Sequence, residues 1–127
     1  EITTRLVGSE MCIRDRTICK DLSKYVIIVT EGAPKKFRFT LVQRLQNYTL
    51  DIIENIHYAN SYNVCDDLRI KHQLEAKRKL SVLDYYAGLS YEVQCIKFKQ
   101  YEEISKQIAN ALMYLNKWIA SDKKSIN

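Results

Sequence analysis

One proline, three glycines and two histidines in 127 residues leave this sequence short of the groups that break helices, line tight turns or ligate metals. So little glycine excludes a glycine-rich phosphate loop, and neither a Walker pattern nor a nucleophile elbow is present. No apolar run reaches the roughly 18 residues of a membrane span, and no secretion signal is visible. Cysteine is sparse too: Cys12, Cys19, Cys65 and Cys95 match neither zinc spacing nor a disulfide framework. A cytoplasmic protein with reduced thiols, no membrane association and no cofactor is the expectation. What is present is 46% hydrophobic residues spread along the chain, 28% charged residues and a formal net charge of +5, the composition of a helical globular domain.

The first stretch does not read like the rest. "LVGSEMCIRDR", from Leu6 to Arg16, has neither helical nor strand periodicity. It resembles the in-frame translation of a transposase-tagmentation sequencing adapter, with Glu1 to Arg5 matching the flanking arm and index. Residues 1–16 are therefore expected to be non-native, like a fusion scar, and residues 17–127 to form one domain whose true start is missing. Three basic and three acidic residues fall in the excluded stretch, so the remaining domain keeps the whole net charge.

"TEGAPKK", from Thr30 to Lys36, is the clearest break, because Gly32 can take the left-handed conformation and Pro34 disfavours helix before it. A helix is expected over residues 18–29, with Leu22, Tyr25, Val26 and Val29 on one face. A second is expected over residues 37–61, where Leu41, Leu45, Tyr48, Ile52, Ile56 and Ala59 step by three or four, flanked by Val42, Thr49 and Ile53. "NSYNVCDD" supplies turn formers, and Asp66 or Asp67 can cap the next helix. That helix, residues 67–94, has Ala76, Leu80, Leu83 and Ala87 as its main stripe. A second apolar line, Val82, Tyr86, Leu89 and Val93, asks for a second partner. After "CIKFK", a fourth helix carries Tyr101, Ile104, Ile108, Ala111, Leu115 and Trp118. Glu75 with Lys79 and Glu102 with Lys106 have the favourable acid-first spacing. The fold expected is all-α, an up-down-up-down four-helix bundle.

Catalytic constellations are missing. Glu54 and His57 have the Glu-x-x-His spacing of dimetal bundles, but on a helical wheel both point away from the apolar face. His72, the other histidine, follows Arg69, not Glu, so the ligand set is not met and no metal site is expected. The cysteines have no histidine close by in sequence, and an enzyme is not expected.

Positive charge is what stands out. "PKKFRFTLVQR" carries Lys35, Lys36, Arg38 and Arg44 with no acid, and "LRIKHQLEAKRK" carries Arg69, Lys71, Lys77, Arg78 and Lys79 against one Glu. Lys71, Arg78 and Lys79 share a helical face. Such a surface attracts polyanions, and phosphate contacts would weaken with salt.

Pro34, Lys35-Lys36, the run Arg38-x-Thr40-Leu41-x-Gln43-Arg44-Leu45 and the Ala59-Asn60 end of that helix form one pattern. Leu80, Leu83, Asp84, Lys99-Gln100-Tyr101-Glu102 and Trp118 continue it in order. Together they resemble a family of small bacterial four-helix bundles. The family includes the accessory variability determinant of diversity-generating retroelements and the proteins encoded in rRNA intervening sequences. Val42 departs from a frequent Gly, and Asn116-Lys117 stand where the accessory type tends to have Gly-Gly. The resemblance implies a non-enzymatic, basic homo-oligomer, a ring such as a pentamer, that binds RNA or an RNA/DNA hybrid. In the retroelement branch it implies a reverse transcriptase as partner. In the rRNA branch it leaves a protein-interaction or structural module. The nucleic-acid contacts it implies are Lys35, Lys36, Arg38 and Arg44, to which the charge pattern adds Lys71, Arg78 and Lys79.

If residues 1–16 are foreign to the fold, deleting them leaves the melting temperature essentially unchanged. A large drop on thermal denaturation of the shortened chain would contradict this.

Overall fold

The computed structural model describes the backbone of residues 2–126 and the side chains of residues 13–126; the side chains of residues 1–12, with Cys12 and most of the adapter-like string, lie outside the described residues. Four helices make up the fold: α1 (Ile2–Glu31), α2 (Gln43–Ser61), α3 (Asp67–Glu92) and α4 (Phe98–Ile126). Each packs on its neighbours in the chain and α1 closes on α4, the ring of contacts of an up-down-up-down four-helix bundle. No strand occurs among the described residues, and no helix there is long and apolar enough to cross a membrane.

The stripes legible in the sequence form the core. Leu22 and Val26 meet Leu45, Ile52 and Ile56, and these meet Ala76, Leu80, Leu83, Ala87, Ile104, Ile108, Ala111, Leu115 and Trp118, all buried. Each large side chain so buried contributes about 1.5–3 kcal/mol. Polar side chains within the α1–α2 interface are paired. The Ser23 hydroxyl donates to Thr49 Oγ1 at 3.3 Å, and Gln46 Nε2 donates to Thr30 Oγ1 at 2.9 Å. The Thr30 hydroxyl in turn donates to the Val26 carbonyl at 2.7 Å.

Helix ends differ from expectation in instructive ways. Gly32 does not take a left-handed conformation. Instead α1 ends by tightening, with Gly32 and Ala33 N–H donating three residues back to Val29 and Thr30, before Pro34 turns extended. Lys35–Phe37 then forms a 3₁₀ turn and Arg38–Val42 a π-helical turn, so regular α2 starts at Gln43 and not at Phe37. The wide turn holds an extra residue, and a wheel drawn through it loses phase. Downstream of it the helix is regular, and its stripe runs Leu45, Thr49, Ile52, Ile56 and Ala59, with Tyr48 half-buried at the flank. Asp66 caps α3, accepting from Leu68 N–H at 2.9 Å. The left-handed residue falls where no glycine stands, at Gln94 (φ 65°). There the Cys95 N–H reaches the Ser90 carbonyl at 2.7 Å and the Gln94 N–H reaches that of Tyr91 at 3.0 Å, closing α3 in a Schellman turn.

The expected ion pairs are re-partnered. Glu75 takes Arg78, one turn away at i+3, and Lys79 reaches across to Asp51 at 3.0 Å. Glu102 and Lys106 form no ion pair among the described residues. Cys19 and Cys95 are buried as packing, but Cys65 is exposed in the α2–α3 connection.

α1 also runs unbroken through the adapter-like string instead of starting near Ile18, since extending a formed helix is far easier than nucleating one. Its burial there is poorly matched. Asp15 is fully buried, and neither carboxylate oxygen accepts a hydrogen bond. Burial pushes the Asp15 carboxyl up to about 8 from its ordinary 3.8. Burial, reinforced by Asp15 one turn away, pushes the Cys19 thiol upward as well.

Between roughly pH 4 and pH 8 the folded chain holds a proton at Asp15 that the unfolded chain has lost. Stability therefore falls as pH rises through that window. Asp15→Ala should raise stability at pH 8 by about 1–3 kcal/mol, the cost of an unsatisfied buried polar group. It should also flatten the pH dependence of the melting temperature; an unchanged pH profile would show that Asp15 is solvated in solution.

Candidate nucleic-acid interface

Alternating helix direction brings the α1–α2 and α3–α4 connections to the same end of the bundle. The contact between Arg44, near the start of α2, and Tyr86, near the end of α3, fixes that placement: Arg44 Nη1 donates to Tyr86 Oη at 3.3 Å. At this pole stand Lys35, Lys36, Arg38 and Arg44, all exposed. None of the four pairs with a carboxylate among the described residues. Lys36 lies over the Phe37 ring and Arg44 over that of Tyr86. Lys97 and Lys99, from the α3–α4 connection and the first turn of α4, join them and are exposed too. Glu31, Glu92, Glu102 and the half-buried Glu103 are acids of the same region, fewer than the six cations, so the pole keeps a positive excess.

The other three expected contact residues lie further along α3 and are less available as a group. Lys71 is exposed and pairs with no described carboxylate. Arg78 is exposed but bidentate to Glu75, with Nη2 at 2.6 and 2.7 Å from the two oxygens. The hydrogen-bonded guanidinium holds the Glu75 carboxyl below the usual carboxylate range. Lys79 is half-buried, between Asp51 and the Tyr48 ring. Their wheel position is right, but the charge of Arg78 and Lys79 is largely answered within the fold.

These contacts belong to a seam between the flanks of α2 and α3. Tyr48 meets Tyr86 edge-on at 5.5 Å, and Asn55 Oδ1 lies 2.8 Å from His72 Nδ1. Tyr58 and Tyr62 both pack on the His72 ring. Tyr86, expected on the unpartnered line, is thus half-covered by α2, while Leu89 and Val93 of that line remain exposed. Glu54 and His57 also point outward, and no group of three or more potential metal ligands occurs among the described residues.

Arg69 contributes nothing to the interface despite lying in the second basic run. Its Nε and Nη2 bond the two oxygens of Asp122 at 2.7 and 2.9 Å, and Nη1 donates to the Tyr62 carbonyl at 3.0 Å. Its guanidinium lies over Trp118, and Gln73 Nε2 donates to the same Asp122 at 2.9 Å. In the sequence Arg69 counts toward the second basic run, though not among the candidate contacts, and its partner 53 residues away is not visible there. Lys97 and Lys99 are hidden for the converse reason: "CIKFK" reads as a connection, and only the topology brings it to the same pole as "KKFRF".

No protein-family model and no curated protein sequence matches the chain. Among solved structures, it is similar to a protein of unknown function from the S23 ribosomal protein family of Bacteroides thetaiotaomicron. The two share 14% identity with a TM-score of 0.78, over 87% of this chain and 98% of that one. The likeness is one of fold.

Removing one partner of a buried ion pair strands the other, so Arg69→Met alone should cost about 3 kcal/mol of stability. Adding Asp122→Leu should recover most of it. Equal losses in the single and double variants by denaturant titration would refute the coupling.

Proposed function

We propose that this chain is a non-enzymatic accessory protein that binds structured RNA or an RNA/DNA hybrid through its basic pole and partners the reverse transcriptase of a diversity-generating retroelement. One observation carries the reading: Lys35, Lys36, Arg38 and Arg44 stand together, exposed, with no described carboxylate answering them. Phosphates are the partners such cations recruit, through counterion release and with no need for a cavity. The π-helical turn supports it by setting Arg38 and the exposed Phe39 outward at the mouth of α2. The reverse transcriptase comes from the sequence resemblance, not from a surface feature.

A second reading has its own observation. Tyr85, Leu89 and Val93 leave an exposed apolar strip along the C-terminal half of α3, which favours an oligomer built from this face. Such an oligomer, cytoplasmic and acting as an interaction module, is the kind implied for proteins of rRNA intervening sequences. The ribosomal family name carried by the structural neighbour agrees with that branch.

Fluorescence anisotropy on an RNA hairpin across a salt series separates the two. Affinity should fall steeply and log-linearly with salt, and Arg38→Glu with Arg44→Glu should lower it about 10–100-fold with helicity unchanged. Absence of binding at low salt, or binding indifferent to salt, overturns the nucleic-acid reading. Loss of helicity in the double variant would mean that the two arginines are structural.

A further inference from the structure

All three phenylalanines of the chain lie at the basic pole. Phe37 and Phe39 stand in the α1–α2 connection and Phe98 opens α4, although these come from opposite halves of the sequence. Phe37 is half-buried beneath Lys36. The other two are not covered: Phe39 is 80% exposed and Phe98 51%. A phenyl ring has no polar group that water can satisfy, so two rings left bare at one end of a bundle with a well-filled core need an account. The rings are interleaved with cations in both connections, as "KKFRF" and as "KFK". Phe98 is also backed by other rings. It meets Tyr91 edge-on at 5.4 Å, and Tyr91 stacks parallel on Tyr101 at 5.9 Å. A second ring cluster, Tyr58, His72 and Tyr62, lies toward the other end of the α2–α3 seam. Exposed Glu54, Asp66 and Asp67 flank it against one exposed cation, Lys71, so the balance of charge there disfavours a phosphate chain.

Resting on the nucleic-acid reading above, we propose that Phe98 and Phe39 are base-stacking platforms and that the pole takes unpaired nucleotides, with Lys35, Lys36, Arg38, Lys97 and Lys99 on the flanking phosphates. The chemistry is that of single-strand binding, in which aromatic faces accept successive bases and cations follow the backbone. Bases locked in a duplex present only their edges, and a duplex could use the cations but not the rings. A second copy of the chain is a poor occupant for this pole, because a symmetric contact would bring the same cations face to face.

The test compares an unstructured 12-nucleotide RNA with a blunt duplex of equal length, in anisotropy titrations at several salt concentrations. The wild type should prefer the single strand. Phe98→Ala should weaken single-strand binding about 5–20-fold while leaving duplex binding and the salt slope unchanged. Phe98→Leu, which keeps apolar bulk against Tyr91 but has no π face, should show the same loss with an unaltered melting temperature. Phe98→Trp should retain affinity. Equal binding of both ligands, insensitive to Phe98→Ala and Phe98→Leu but abolished by Arg38→Glu with Arg44→Glu, overturns stacking and leaves the basic surface standing. Failure of the wild type to bind either ligand at low salt overturns both.

Discussion

Burial of one narrow apolar stripe on each helix is the constraint from which the rest of this structure follows. A stripe built on three- and four-residue steps covers about a third of a helix's circumference. Four such helices can hide their stripes together only by standing side by side, and short connections then force their directions to alternate. Alternation puts the first and third connections at one end. The charge of the pole is thus a product of core packing: the seams of Leu45, Leu83 and Ile104 bring the connection that carries Lys35 and the one that carries Lys97 to one end of the bundle.

The flanks of each stripe decide what remains for function. Along the α2–α3 junction they are filled by tyrosines, an amide, an imidazole and opposed charges that satisfy one another. This seam consumes Lys79 and much of Arg78, as the network around Asp122 consumes Arg69. Charges paired inside a fold set register and exclude water, whereas those left over in the connections face outward. Two stretches equally basic in sequence therefore end with different capacities, one spent mainly within the bundle and one available outside it.

Helix number and most of the core residues from Leu22 to Trp118 were legible because they rest on periodicity, which is local; Tyr25, Leu41, Tyr48 and Tyr101 of the expected stripes end half-buried at the edges of the core. Three kinds of feature were not legible. A π turn is a defect in the period itself, invisible to a wheel that assumes the period. The left-handed residue at Gln94 was missed because the signal sought was glycine, and the Schellman bonds hold a glutamine there at a cost of about 1–2 kcal/mol. Long-range partners such as Asp51 for Lys79 and Asp122 for Arg69 depend on which helices neighbour which, and on where each rotates. The exposure of Lys35, Lys36 and Arg38 was readable because no described carboxylate pairs with them, whereas the contact of Arg44 with Tyr86, 42 residues away, was not.

The wide turn at the mouth of α2 has a further meaning for how such a chain can change. A regular helix can gain or shed a single amino acid only by rotating everything on one side of the change. Here the surplus is stored where the chain emerges from a loop, ahead of the first core residue, Leu45. Length variation at that point would be absorbed by the loop, re-aiming Arg38 and Phe39 while the interior keeps its phase. A bundle made this way has an adjustable rim on an invariant barrel.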